Sequence, residues 1–267
     1  MNKSYLINPL TELPFHGVGN DEFLKVTGAW VHSLSSTILD SKDLFQDVME
    51  SPERTGESEN MTCGNYIESK YCTIKQTGLF LDKAAHKKGF SIFHCNMRSL
   101  AKNLTLLNDI IVTFKKVPDI IAISETKLND NYVSNISIPG YSFLNTNSKT
   151  SAGGVGLYLA DQLNFIRRHD LELPVEGVES CWIETTSKKE QNIIIGCVYR
   201  HPHSKLENFH EAMKERLQSL NNSRKQVIVL GDTNINSLQY CNDNRTADYL
   251  NMLLDSRLCP LLLRPLA

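Results

Sequence analysis

FSIFHCNMRSL, residues 90–100, reads as an apolar strand that runs into a polar break and then into a helix. Phe90–Cys95 is a short run in which a single His interrupts large apolar residues, and Asn96-Met97-Arg98 follows it at once. Ser99 stands where a helix N-cap belongs. From there Leu100, Leu104, Leu107, Ile111 and Phe114 recur at spacings of three and four, and Pro118 closes the stretch. The same texture continues downstream. Short β-branched runs predict strands over 119–124, 141–145, 154–160, 163–167, 180–185, 192–199 and 226–231. A helix is expected from Ser204, with Leu206, Phe209, Met213, Leu217 and Leu220 on one face, and another over about 246–254. Strands that read as continuous apolar runs are buried on both faces, and helices must cover them. The expected class is α/β.

Composition agrees with a globular protein. The chain has 267 residues, 28 basic and 30 acidic side chains and a formal net charge of −2, with 41% hydrophobic and 22% charged residues. Nothing approaches the roughly 18 consecutive apolar residues of a membrane span. The first residues lack the apolar core of a secretory signal, so an intracellular, non-secreted protein is expected. Seven cysteines include no C-x-x-C pair, and Cys95, Cys181 and Cys197 lie inside apolar runs, so free thiols are expected rather than a disulfide framework or zinc site.

Charge divides the chain. Residues 1–88 carry 9 basic and 12 acidic side chains, whereas 89–267 carry 19 and 18. Asp40–Glu59 is acidic and nearly free of large apolar residues, and such a stretch cannot bury enough surface to offset its chain entropy. The apolar islands Leu10–Val18 and Phe23–Leu34 are each too small for a core. Residues 1–88 are therefore expected to be a largely disordered leader and linker, and 89–267 the folded domain.

What stands at the strand ends points to chemistry. FSIFHC is followed by Asn96 and Arg98, DIIAIS by Glu125, NIIIGCV by Tyr199 and Arg200, and VIVLG by Asp232 and Asn234. In helix-covered sheets, functional groups collect at strand ends, where rigid backbone presents them to a crevice. Carboxylates and carboxamides without His or Cys nearby are hard oxygen donors that favour Mg²⁺ over zinc. Asn, Tyr and Arg around such an ion suit phosphate oxygens.

These segments, NMRSL (96–100), SETKL (124–128), GGVG (153–156), VYRHP (198–202) and GDTN (231–234), resemble in order and spacing the endonuclease/exonuclease/phosphatase superfamily, which includes deoxyribonuclease I, exonuclease III and the abasic-site endonucleases. The wording of NMRSL and SETKL is most similar to the endonuclease domain of jockey-like non-LTR retrotransposons. The resemblance covers about residues 88–260. It implies a four-layer α/β/β/α sandwich of the deoxyribonuclease I-like type and Mg²⁺-dependent hydrolysis of DNA phosphodiesters, with Mn²⁺ able to substitute. Glu125 matches the principal metal ligand, with Asn96 beside it. Asp232 matches the acid that positions or deprotonates water, and Asn234 the carboxamide on the scissile phosphate. Tyr199 matches the hydroxyl near that phosphate, Arg200 is expected on the DNA backbone, and Arg98 is expected to be a structural partner. DNA is then the partner, with no membrane and no small-molecule cofactor, in nucleus or cytoplasm.

The family pattern continues with a late Asp and a Ser-Asp-His element. No Ser-Asp-His occurs here and no His follows His210, so a domain incomplete at its C-terminus is expected, with activity weakened or lost. The alternative is a non-catalytic relic that binds nucleic acid or a protein partner. Other features receive plainer readings. Gly153-Gly-Val-Gly156 lacks a following Gly-Lys-Ser/Thr and reads as a tight turn. His201 and His203 read as solvated loop residues, Trp182 and His94 as core, and the pairs 115–116, 167–168 and 188–189 as solvated basic surface.

Overall fold

The computed structural model describes residues 89–260, apart from 115–116, 130–135, 187–191, 222, 224 and 240, together with the backbones of 4–7, 13–14, 23–32, 61–62 and 68–69. In chain order the elements are β1 (Ser4–Ile7), β2 (Leu13–Pro14), β3 (Phe23–His32), β4 (Met61–Thr62), β5 (Glu68–Ser69), β6 (Gly89–Asn96), α1 (Leu100–Val112), β7 (Ile120–Ser124), β8 (Tyr141–Thr146) and β9 (Val155–Ala160). There follow β10 (Phe165–Arg167), β11 (Val178–Thr186), β12 (Asn192–Arg200), α2 (Leu206–Asn221), β13 (Gln226–Asp232), α3 (Asn244–Asp255) and β14 (Leu258–Pro260). All eight strands read from periodicity after residue 89 are present, within two residues at each end.

Two six-stranded sheets form, in the orders β10-β11-β12-β13-β1-β14 and β2-β3-β6-β7-β9-β8. Strand periodicity sorts their side chains into three cores. In β12, Ile193, Ile195, Cys197 and Tyr199 point between the sheets, where they meet Ile92, Ile120, Ala122, Val155, Leu157 and Leu159. Ile194 and Val198 point the other way, against Phe209, Met213 and Leu217 of α2 and Tyr249, Leu250 and Leu253 of α3. On the far side, Phe93, Cys95, Ile121 and Ile123 pack on Leu100, Leu107, Ile110 and Ile111 of α1. The layers are therefore α/β/β/α, a mixed α/β fold. Each fully buried Leu, Ile or Phe contributes about 1.5–3 kcal/mol to this arrangement. No helix among the described residues is long and apolar enough to cross a membrane.

One expectation changes. Ser99 precedes α1, but its side chain makes no cap hydrogen bond; the Leu100 amide instead donates to the Thr126 carbonyl at 2.9 Å, so the helix start is tied to the next loop. Asp243 does cap α3, accepting from the Arg245 amide at 3.1 Å. Within residues 1–88, expected to be a largely disordered leader and linker, only the short backbone stretches named above are described. β1 pairs in parallel with β13, from Ser4↔Val227 to Ile7↔Leu230, and β3 runs antiparallel to β6, from Lys25↔Asn96 to His32↔Gly89. The apolar stretch over 23–32 is too small to build a core of its own but can join an existing sheet. The polar stretch Asp40–Glu59 lies outside the described residues.

Cys95, Cys181, Cys197 and Cys241 are free, and burial pushes the first three thiols above their usual range. His94 is buried in β6, its Nε2 3.2 Å from Ser124 Oγ, and burial pushes the imidazole down to about 3. The unfolded chain binds this proton below pH 6.5 and the folded chain does not, so stability is fully present above pH 6.5 and falls as pH drops towards 3. Each unit in that window costs about 1.4 kcal/mol. Urea unfolding of wild type and His94→Leu between about pH 7 and 4.5 tests this: the acid-side slope is expected to be shallower in the variant, and equal slopes would refute the assignment.

Candidate active site

Sheet register carries four strand ends to one place. Asn96 of β6 lies beside Ser124 of β7, so Glu125 is the next residue out of that sheet. In the facing sheet Tyr199 of β12 pairs with Asp232 of β13 on one side and with Glu179 of β11 on the other. At these strand ends one carboxamide links the two sheets. Asn96 Nδ2 donates to Glu125 Oε1 at 2.7 Å and to Asp232 Oδ2 at 3.0 Å, joining acids from opposite sheets. Asn96 and Asp232 are buried and Glu125 is partly exposed, so the cluster opens to solvent on the Glu125 side.

The local backbone is strained there and little elsewhere. Among described residues, five non-glycines have positive φ, and four of them flank these groups: Arg98 (52°), Glu125 (53°), Lys127 (52°) and Asn234 (51°). Each costs on the order of 1–2 kcal/mol and persists only where surroundings enforce it. The enforcing bonds are visible. Arg98 N donates to Asn96 Oδ1 at 3.1 Å, Thr126 N to Gly154 O at 3.1 Å, Lys127 N to Gly153 O at 2.8 Å and Asn234 N to Asp232 Oδ1 at 3.0 Å. Backbone strain of this kind clusters at active sites and ligand clamps.

Tyr199 is buried. Its hydroxyl is pushed well above the usual phenol range by burial first and then by the Glu125 and Asp232 carboxylates, while a hydrogen bond with Asn234 pulls the other way. The phenol therefore stays protonated at neutral pH. Asn234 also donates from Nδ2 to the Arg200 carbonyl at 2.7 Å.

Arg200 departs from expectation. It is 5% exposed, and its guanidinium donates to the carbonyls of Thr233 (2.7 Å), Asn234 (2.9 Å), Ser204 (2.9 Å) and His201 (3.3 Å). The side chain expected on the DNA backbone is here buried, with its guanidinium committed to main-chain carbonyls. Asn96 also differs in detail. Its oxygen accepts from Arg98 N, which fixes the amide with its nitrogen towards the acids.

Sequence reasoning overlooked Glu179 and misjudged His201. Glu179 is buried and accepts from Ser148 Oγ (3.0 Å) and from the Gly154 amide (3.3 Å), with His201 Nε2 3.1 Å away. His201 is not a solvated loop residue: its side chain is 16% exposed, and its ring meets Tyr199 edge to face at 5.0 Å between centroids. His203 is exposed, as expected. Gly153 takes φ +86°, as a tight turn requires, and a Cβ there would lie 2.5 Å from His201 Nε2 and 2.7 Å from Glu179 Oε2. The glycine is needed because the pair packs on the bare backbone. A signal for Glu179 did exist: it shares strand parity with Cys181 and Ile183, which face the inter-sheet core.

The chemistry of the donor set decides whether a metal fits. Among the described residues no group of three or more His, Cys, Asp or Glu converges. Two carboxylates held within reach of one amide nitrogen fit Mg²⁺, which keeps several waters and binds through one or two carboxylates plus substrate phosphate oxygens.

The family model for the "Endonuclease/Exonuclease/phosphatase family" matches residues 93–249, more than half of the chain, a span that includes Asn96, Glu125, Tyr199, Arg200, Asp232 and Asn234. The chain belongs to this family. No curated protein sequence matches it. Among solved structures, the chain is similar to a 3′ phosphatase, NExo, from Neisseria bound to product DNA hairpin (16% identity, 63% of this chain, 71% of that chain, TM-score 0.42) and to an AP endonuclease from Archaeoglobus fulgidus (18%, 60%, 68%, 0.39). It is also similar to the human Nocturnin catalytic domain (16%, 54% of this chain, TM-score 0.40), of which it spans 63%.

Proposed function

We propose, from the premise that the chain belongs to the endonuclease/exonuclease/phosphatase family, that it is a Mg²⁺-dependent DNA endonuclease domain of the kind found in jockey-like non-LTR retrotransposons. The observation that carries the reading is the Asn96 carboxamide gathering Glu125 and Asp232 from two facing sheets, ringed by strained backbone. The wording of NMRSL and SETKL supports the retrotransposon subtype. Residues 89–267 form the endonuclease domain in this proposal, with β1 and β3 added to its sheets from the preceding segment.

Glu125, the exposed member of the cluster, would hold the cation. Asn96 in its observed orientation holds the two acids at one point; offering its oxygen to the ion would require a half-turn of the amide and loss of the Arg98 bond. The cation, when bound, neutralises charge on the phosphoryl and leaving oxygens. Asp232, fixed by Asn96 Nδ2 and by the Asn234 amide, orients the attacking water and accepts its proton. Tyr199 donates a hydrogen bond to a non-bridging oxygen of the scissile phosphate, and Asn234 joins it by exchanging one of its present bonds, to the Arg200 carbonyl or to the phenol, for a second phosphate oxygen. Asp232 and Tyr199 are adjacent in register, so water and phosphate would be presented side by side.

Supercoiled plasmid incubated with the purified chain tests the proposal. Open circles are expected with Mg²⁺ or Mn²⁺ and not with EDTA, without release of inorganic phosphate from a phosphomonoester. Absence of nicking by soluble, folded protein would overturn it in favour of a non-catalytic binder, and phosphate release without nicking would favour a phosphatase.

A further inference from the structure

We propose that Arg200 is a positioning residue, a buried keystone that sets the Asp232–Asn234 turn and ties it to the His201–Ser204 loop. The inference deepens the active-site reading above and rests on it for its kinetic consequence, but not for its structural one. Arg200 ends β12, beside the turn that leaves β13. Its Nε reaches Thr233 O at 2.7 Å and its Nη2 reaches Asn234 O at 2.9 Å, so two consecutive carbonyls of the turn are held by one rigid fork. Nη1 crosses to the other loop, donating to Ser204 O at 2.9 Å, His201 O at 3.3 Å and Ser204 Oγ at 3.4 Å. Asn234 closes the circuit by donating Nδ2 to the Arg200 carbonyl.

The reason for burying a cation here lies in the backbone it holds. Asn234 sits at φ +51° although it is not glycine, and its amide is turned back on Asp232 Oδ1. A turn in that conformation relaxes unless its carbonyls are anchored. Among the described residues no carboxylate is hydrogen-bonded to the guanidinium, whose bonds go to neutral carbonyls and a hydroxyl, so its burial is compensated by donor geometry rather than by an ion pair. A lysine could keep the charge but not span four carbonyls from one point. The same fork reaches His201, whose ring lies on Tyr199, so a single side chain sets the carboxylate, the carboxamide and the neighbour of the phenol.

Two measurements on the full chain test this. With ¹⁵N,¹³C labelling, the wild type is expected to show one Nε–H resonance, assigned to Arg200 through its own side-chain and backbone connectivities, that exchanges slowly with solvent and stays in place when duplex DNA is added. Movement of that resonance on DNA binding would overturn the proposal, and it needs no variant to fold. In Arg200→Lys, amide exchange over 233–236 should accelerate at least tenfold while β6 and β7 keep their protection. kcat for nicking should fall about 10²-fold through misplacement of the reacting groups, with KM and the salt dependence of DNA binding unchanged. A rise in KM with a salt slope smaller by about one would mean a phosphate contact instead, and unchanged local exchange would sink the keystone role. If the wild type does not nick DNA, the functional reading fails, and the exchange and NMR results still decide the structural role of Arg200.

Discussion

Glu125→Ala is expected to lower Mg²⁺-dependent nicking by about 10³-fold or more, because a bound cation supplies several kcal/mol of transition-state stabilisation. The variant should fold as well as the wild type. Glu125 is partly exposed, and one fact offsets the loss of its bond to Asn96: its charge faces Asp232 across one amide group. Removing one of two neighbouring carboxylates relieves repulsion where no cation is bound. Inactivity without destabilisation is the signature of a functional acid rather than a structural one. Glu125→Gln should behave alike, since it keeps the shape and loses the charge. Mn²⁺ binding followed by calorimetry should weaken in parallel in both variants. Nicking by Glu125→Ala within about twofold of wild type would remove Glu125 from the metal site.

The second large effect falls on stability. Gly231→Ala is expected to cost about 3–5 kcal/mol and to lower Tm by about 10 °C. Gly231 lies at φ +135° opposite Val198 in the parallel β12–β13 ladder, and an added Cβ would lie 1.7 Å from the Val198 carbonyl oxygen. That atom is backbone in the middle of a sheet and cannot swing aside. The two strands must separate at this pair, directly before Asp232 and its partner Tyr199, so nicking should fall with stability. A thermal melt of the variant within about 2 °C of wild type would show that the ladder accommodates the methyl group and would refute this account of the glycine.

The contrast between these two residues and Arg200 shows where local pattern ends. Glu125 and Asp232 were legible because each follows an apolar run without a break, and a buried strand that ends in an acid leaves few places for that acid except the sheet's edge. The strands and helices after residue 89 followed from the same signal, since a period of two or 3.6 in hydrophobicity is the physical cause of each element; the four layers were implied by the family resemblance. Arg200 occupies the same kind of strand-end position as Tyr199, yet its guanidinium turns away from the cleft. Nothing within the sequence around 198–202 says that four carbonyls from 201, 204, 233 and 234 converge on it. The partnership of Glu179 with His201, Ser148 and Gly154 is of the same kind, joining residues 22 to 31 apart through packing of separate loops on the start of β11.

Between residues 89 and 255 the sequence by itself determined which segments become strands and helices, that the strands would be covered by helices, and which acids and carboxamides stand at the strand ends. It could do so because burial periodicity and strand termination are local properties. Only the tertiary structure decided that Asn96 would hold acids from two different sheets, that Arg200 would face inward and that His201 would find a buried carboxylate. Each of these depends on sheet register and on where separate loops meet, and those relations are set by the packing of the whole domain rather than by any one stretch of chain.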